Sequence, residues 1–222
     1  MATAGPMATP TDTDILTLAQ WLSPAYPVGG FAYSHGLEWE IESGSVSSVA
    51  ETGAWIADVV EFGTGRNDCI LLSAAYAAPA VALAEIDQTA RAFCPSSERL
   101  RETRLLGEAF SGLTADVWSL DLPPLTYPVA LGHAAGLWGL PLALTAQMYL
   151  QAFMSNLVAC ATRLVPLGQT ESQRLIRDLT PLCQRVATGS LAAKMDDLGA
   201  TAFLSDIASM KHETQYSRMF RT

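Results

Sequence analysis

The stretch LALTAQMYLQAFMSNLVACAT, residues 142–162, is the one clean helical run in a long uncharged segment, and its reading decides the fold. No charged residue lies between Asp121 and Arg163, enough chain for a membrane hairpin. Yet Pro123, Pro124, Pro128 and Pro141, with Gly132, Gly136 and Gly139, punctuate the segment. The run itself carries Gln147, Gln151, Ser155 and Asn156, whereas a span needs about 20 predominantly apolar residues. The stretch therefore reads as a buried helix at the centre of a helical core.

Composition supports one large soluble domain. At 222 residues the chain is long enough for a sizeable core, and half of its residues are hydrophobic. Only 16% are charged, against ~25% in ordinary soluble proteins. A surface so short of charge is expected to lie against partners. The net charge of −9 argues against nucleic acid, whose phosphates need Lys and Arg patches. The first 65 residues hold no Lys or Arg but eight acids, Asp12, Asp14, Glu38, Glu40, Glu42, Glu51, Asp58 and Glu61. The end, KHETQYSRMFRT, is locally basic through Lys211, Arg218 and Arg221, an asymmetry able to steer partners. Cys69, Cys94, Cys160 and Cys183 show no C-x-x-C spacing, and the N-terminus has neither a basic nor an apolar signal region. A cytoplasmic protein with reduced thiols and no membrane segment is the expectation.

Outward from residue 142, the periodicity is helical almost throughout. Asp12 or Thr13 is expected to cap a first helix through Trp21 and Leu22, and a shaped loop over 24–30 precedes a short helix through Glu40. Ser48 with Glu51 matches a capping box that opens a helix to about Phe62. Gly63 and Gly65 should break it, Asn67 and Asp68 should start the next helix, and Pro79 suits the first position of another. From Ser96 to Trp118, Leu106, Phe110, Leu113 and Val117 recur at helical spacing. Pro128 and Pro141 mark helix starts, and Thr170 with Gln173 suggests a further capping box. The prediction is an all-α, single-domain, bundle-like fold of roughly eight to ten helices. Residues 1–12 read as a disordered tail, 13–209 as the helical domain and 210–222 as a docking tail. That tail carries Met210, Tyr216, Met219 and Phe220, more large apolar groups than a disordered end usually holds.

The chain offers little chemistry of its own. There is no G-x-x-x-x-G-K-[ST], and Gly63-Thr64-Gly65 lacks the lysine and strand of a phosphate cradle. Ser190 stands four residues before Lys194, one step off a serine acyl-transferase spacing, and reads as a helix cap. His35, His133 and His212 are too scattered for a zinc-type motif, and His133 reads as a hydrogen-bonded core histidine. The loop PAYPVGGFAYSHGLE, residues 24–38, instead reads as a docking and scaffolding loop. Pro27, Gly29 and Gly30 shape its backbone, Phe31 and Trp39 fill the core, and Tyr33, Ser34, His35 and Glu38 reach a partner or the second copy of a dimer.

Five blocks then carry a resemblance. SPAYPVGGFAYSHGLEWEIE (23–42), RETRLLGEAF (101–110), YPVALGHAAGLWGL (127–140), LQAFMSNLVACATRLVPLGQTESQRLI (150–176) and DIASMKHETQYSRMFRT (206–222) resemble, in order and spacing, the urease accessory protein UreF family. The family's ending is close to SMRHExQxxRLFxS. Here Lys211 replaces the usual arginine, Met219 the usual leucine and Thr222 the common serine. A lysine cannot make a bidentate arginine contact.

The resemblance implies an all-helical, dimer-forming protein without catalysis or cofactor. Such a protein joins UreD (also called UreH) and the GTPase UreG to load nickel into apo-urease, and its C-terminal segment holds UreD. It points to Met210, Lys211, His212, Glu213, Tyr216, Arg218, Met219 and Phe220 as partner-binding. No resident metal is expected, with His35 and His212 the candidates for a passing contact with nickel. By residue type, Arg101, Arg104 and Arg174 are candidates for an arginine finger in trans. The competing reading is an all-helical enzyme or ligand-binding module with a pocket built from His35, Glu38, Asp196 and Asp197.

Overall fold

The computed structural model describes residues 9–221, so the predicted tail over 1–12 and the comparison at Thr222 fall largely outside the described residues. Among the described residues the chain is all-α, with ten α-helices and two 3-10 helices, Gly30–Ala32 and Met195–Asp197. The α-helices are α1 (Asp12–Trp21), α2 (Leu37–Glu42), α3 (Val49–Phe62), α4 (Thr64–Tyr76) and α5 (Ala80–Ala92). They continue with α6 (Ser97–Trp118), α7 (Tyr127–Trp138), α8 (Leu142–Leu164), α9 (Gln169–Ser190) and α10 (Phe203–His212).

The stretch over 142–162 lies in α8, at the centre of the helical core. Ala146, Tyr149, Leu150, Met154, Leu157, Val158 and Ala161 are buried at three- and four-residue steps along it. They pack it against α9, α4, α3 and α2. Its Gln147, Gln151, Ser155 and Asn156 form the half-buried remainder. No helix among the described residues is long and apolar enough to cross a membrane. The fully buried Leu150, Met154 and Leu157 each contribute roughly 1.5–3 kcal/mol through their removal from water.

Helix ends follow local chemistry, with some corrections to the sequence reading. Ser48 and Glu51 form the expected capping box on α3. The cap of α1 is Thr11, one residue earlier than predicted, because its side chain and that of Asp14 satisfy each other's backbone N–H. Asn67 and Asp68 do not start a helix. Gly63 alone separates α3 from α4, which already begins at Thr64, and Gly65 lies inside it against the Val60 backbone. Pro79 is the N-cap of α5, not its first helical residue. Gly168, paired with Glu171, caps α9 in place of the predicted Thr170. Ser190 ends α9, and its hydroxyl donates to the Val186 carbonyl. His133 is half-buried at the Ala75 backbone, and burial lowers its pKa.

The chain after α10 does not leave the molecule. Phe220 is buried, the Arg163 guanidinium lies 5.8 Å from the centre of its ring, and the Arg221 N–H donates to the Ala32 carbonyl at 2.8 Å. The C-terminal segment is therefore packed on the loop that precedes α2. That loop differs from expectation in one ring: Phe31 is 58% exposed, because the 3-10 turn at Gly30–Ala32 directs it outward. Trp39 is half-buried.

Candidate functional site

Three blocks distant in sequence meet at one place: the loop and α2, the first turn of α6, and α10 with the chain behind it. Gly36 makes the meeting possible. Its φ of +82° is natural for glycine, and a Cβ there would stand 2.6 Å from the Ser209 nitrogen and 2.8 Å from the Ala208 carbonyl carbon. So α10 rests directly on the Gly36 backbone. Its neighbour His35 also holds a positive φ, 55°. That strained geometry turns its imidazole inward, to 3.0 Å from Glu102 and edge-on to Phe153.

Glu38 is the hub. Its carboxylate accepts the Met219 N–H at 2.6 Å on one oxygen and the Phe220 N–H at 2.9 Å on the other. The second oxygen also lies 3.2 Å from His212 Nε2. The ring's other nitrogen, Nδ1, lies 2.7 Å from Glu98, whose remaining oxygen takes Arg218 at 2.6 Å. His212 is completely buried and Glu38 nearly so. Two backbone N–H donors of the segment converge on one buried carboxylate, as the N–H groups of a helix N-terminus converge on an anion.

Glu213 does the reciprocal job for α6. Its carboxylate accepts from the N–H and the hydroxyl of Ser97, both at 2.7 Å, and from the Glu98 N–H at 3.4 Å. These are unpaired donors of a helix start, and a negative charge there also suits the helix dipole. The Ser96 hydroxyl, the N-cap of α6, is 2.6 Å from the Ser209 hydroxyl. Gln215 reaches back to Glu42 of α2.

Those Ser97 and Glu98 contacts hold the Glu213 carboxyl below the usual carboxylate range. A depressed folded pKa gives stability that is present above the unfolded value and lost as pH falls through the folded one. Because Glu213 is only half-buried, solvent screens the effect and keeps it small. Glu213→Gln is expected to cost the low end of a cap, roughly 0.5 kcal/mol, and to remove this acid-side loss. The check is amide exchange at Ser97 and Glu98 across the carboxylate titration range.

Beneath this clasp lies a second, wholly internal network. Arg99 spans Asp68 at 2.8 Å and Glu102 at 3.2 Å, while Tyr149 donates to Asp68 at 2.5 Å. Burial pulls Arg99 towards neutrality, but Glu102 and Asp68 more than reverse this and hold it charged. Burial likewise raises the Asp68 carboxyl against the opposing pull of Arg99. On its inner side the network borders a cavity of about 620 Å³, also lined by Tyr26, Tyr127 and Phe153. Asn156 pins the loop that walls the cavity by donating to the Gly30 and Tyr33 carbonyls.

Of the residues predicted to bind partners, Tyr33, Ser34, His35 and Glu38 are buried inside the chain. They reach the chain's own C-terminal segment and core instead of standing on the surface. His212 and Phe220 are buried with them, Glu213 is half-buried and Arg218 is bound to Glu98. Met210, Lys211, Tyr216 and Met219 face outward. His35 lies against Glu102 and His212 against Glu38 and Glu98, and among the described residues no group of three or more His, Cys, Asp or Glu side chains could hold a metal ion. Asp196 and Asp197 are exposed in a 3-10 turn, away from the cavity lining. Arg101 and Arg104 are exposed on α6 and Arg174 on α9.

Sequence reasoning missed Ser96, Ser97, Glu98, Arg99 and Glu102, which supply the α6 half of the site. A signal was present. Arg99, Glu102, Thr103, Leu106 and Phe110 share one helical face, so two charges ride on the apolar stripe.

Comparison with known proteins places this chain in a family. A family model described as UreF matches residues 46–180. A protein of Ruegeria pomeroyi named urease accessory protein UreF is 63% identical over 217 residues, covering 97% of this chain and 100% of its own. Bearing the same name, a protein of Roseobacter denitrificans is 49% identical over 93% of both chains. One of Rhodopseudomonas palustris is 41% identical over 100% of this chain and 99% of its own.

Proposed function

The chain belongs to the UreF family of urease accessory proteins, and on that premise we propose that it acts in urease maturation as a non-catalytic scaffold. In this reading it bridges UreD and the GTPase UreG and gates GTP-dependent delivery of nickel to apo-urease, as a homodimer in the cytoplasm. One observation supports it most. The C-terminal segment is two-faced: its inner side is clamped by Glu38 and Glu98, and its outer side presents Phe203, Leu204, Ile207, Met210, Tyr216 and Met219 to solvent. Phe203, Leu204 and Met210 are 65%, 73% and 51% exposed, an apolar face that a monomer gains nothing by showing. A helix with i, i+4, i+7 apolar anchors is a standard element for docking into a groove.

The test mixes the chain with its cognate UreD and then UreG on size exclusion with light scattering. The expected result is a complex with UreD that then recruits UreG. Truncation after Ser209, or the pair Leu204→Asp and Met210→Asp, should weaken UreD association at least about tenfold. Intact association after both changes would refute the docking role. The alternative, a small-molecule site, has the 620 Å³ cavity and its buried His35 in its favour. A chain that bound neither partner but bound a small molecule tightly would establish that alternative instead.

A further inference from the structure

We propose that the cavity between α1, the loop over 23–31, α6 and α8 is a binding site for a neutral, planar aromatic molecule that brings a hydrogen-bond acceptor, such as an aryl ketone. Its volume of about 620 Å³ falls within the roughly 300–1,000 Å³ that small-molecule sites occupy. This narrows, and rests on, the small-molecule reading of the same cavity. A scaffold can carry such a site, so the partner assignments stand or fall on their own test.

The walls select a flat ring. Tyr149 stacks on Phe153 with 16° between the planes and 6.4 Å between centroids, and Tyr127 leans on Tyr149 at 5.9 Å. All three line the cavity. A ring entering the space extends this series by offset or edge-on contact, the arrangements that aromatic pairs prefer. The wall is also held in place before anything binds. Asn156 donates to the Gly30 and Tyr33 carbonyls, and His35 is fixed between Glu102 and the Phe153 ring. Preformed walls lower the ordering cost of binding.

The charges favour a neutral ligand. Arg99, His35 and Glu102 border the cavity but answer one another and the core behind them. Arg99 reaches Asp68 at 2.8 Å and Glu102 at 3.2 Å, and His35 lies 3.0 Å from Glu102. An ionic ligand would leave water for a wall whose charges are already paired, at a cost in solvation that nothing there returns. The other charged residue on the lining, Arg163, is exposed and lies over the Phe220 ring.

The unspent donors call for an acceptor. The Tyr26 hydroxyl is paired with that of Thr114, and the Tyr149 hydroxyl with Asp68. The Tyr127 hydroxyl has no hydrogen-bond partner among the described residues, and burial raises its pKa, so it stays a neutral O–H. Trp21, also on the lining and wholly buried, carries an indole N–H with no partner among the described residues. An incoming carbonyl supplies what the Tyr127 hydroxyl lacks.

The experiment titrates the full chain with prodan, a neutral naphthyl ketone whose emission reports its surroundings. Anilinonaphthalene sulfonate and naphthyltrimethylammonium present a similar ring as an anion and a cation. Prodan is expected to bind at least about tenfold more tightly than either ion. Tyr127→Phe should weaken it about two- to tenfold, the worth of one hydrogen bond. Ala152→Phe, which fills the cavity, should abolish binding, whereas Leu204→Asp with Met210→Asp on the outer face of α10 should change nothing. Nuclear Overhauser contacts from prodan to the Val28, Leu106 and Met148 side chains locate the probe in wild type, whatever the variants do to folding. Tighter binding of either ion within the cavity would overturn the neutral class and leave a small-molecule site standing. Unchanged affinity in Tyr127→Phe would overturn the acceptor. Absence of contacts to those three side chains, or binding lost only with Leu204 and Met210, would overturn the site itself.

Discussion

Glu38→Ala is expected to release the C-terminal segment from the body of the protein and, on the docking role proposed above, to weaken association with UreD at least about tenfold. The change removes one carboxylate but strands three donors, the amides of Met219 and Phe220 and the His212 ring. An unsatisfied buried donor costs about 1–3 kcal/mol, which exceeds what the few contacts of a terminal segment can offset. The segment should therefore leave and rehydrate its amides, while the helical core survives. Limited trypsin digestion checks this, since Lys211, Arg218 and Arg221 become cleavable when the segment is free. Cleavage should accelerate at least about tenfold, with little change in thermal unfolding of the core. Glu38→Gln keeps the shape and one carbonyl but turns an N–H₂ towards a backbone donor, so it should fall between. Equal protease resistance in all three proteins would remove Glu38 from its assigned place.

The contrast between α8 and this clasp explains what the sequence could reveal. A central helix writes its environment into its own residues. The apolar steps of 142–162 repeat with the helical period, and interruptions by Gln147, Gln151 and Ser155 mark the half-buried side. Capping at Ser48–Glu51 is equally local and was legible. Gly168 and Thr11 were not, because each had a near neighbour able to cap, and the acid three residues on, Glu171 or Asp14, decided between them. Local chemistry, however, does not say what a residue 174 positions away will do, which is the separation of Glu38 and His212.

The clasp was legible only as two halves. YSHGLE and the C-terminal block each look like surface recognition elements, polar and aromatic. Taken separately, both predict a partner. The structure makes them partners of each other, with α6 as the third member. The exposed residues of the segment are those on the far side from Gly36, and only the fold separates Met210 and Met219 from His212 and Phe220.

The largest expected loss of stability comes from adding three carbons far from the clasp. Gly136→Val should leave little folded protein at ordinary temperature. Gly132 and Gly136 lie one turn apart on α7 and face the Leu72 and Tyr76 backbones of α4. A Cβ at Gly132 would stand 2.2 Å from the Leu72 carbonyl oxygen, and one at Gly136 1.8 Å from that of Tyr76. No rotamer change relieves a clash between two helical backbones, so the helices must separate along a whole turn. That separation also strains the bond from the Tyr76 hydroxyl to the Leu140 carbonyl and opens the core around Leu72 and Leu131. Overpacking ordinarily costs 1–3 kcal/mol; with backbone on both sides the expected loss is above about 4 kcal/mol, a large share of the ~5–15 kcal/mol that holds a domain together. Gly112→Ala is the control. Gly112 is also helical, on the exposed side of α6, with nothing within 4 Å of a new Cβ. There the same class of substitution should stabilise by roughly 0.5–1 kcal/mol through helix propensity alone. Denaturant midpoints for the two variants should thus move in opposite directions. Shifts of the same sign would mean that glycine here serves flexibility and not the close approach of α4 and α7.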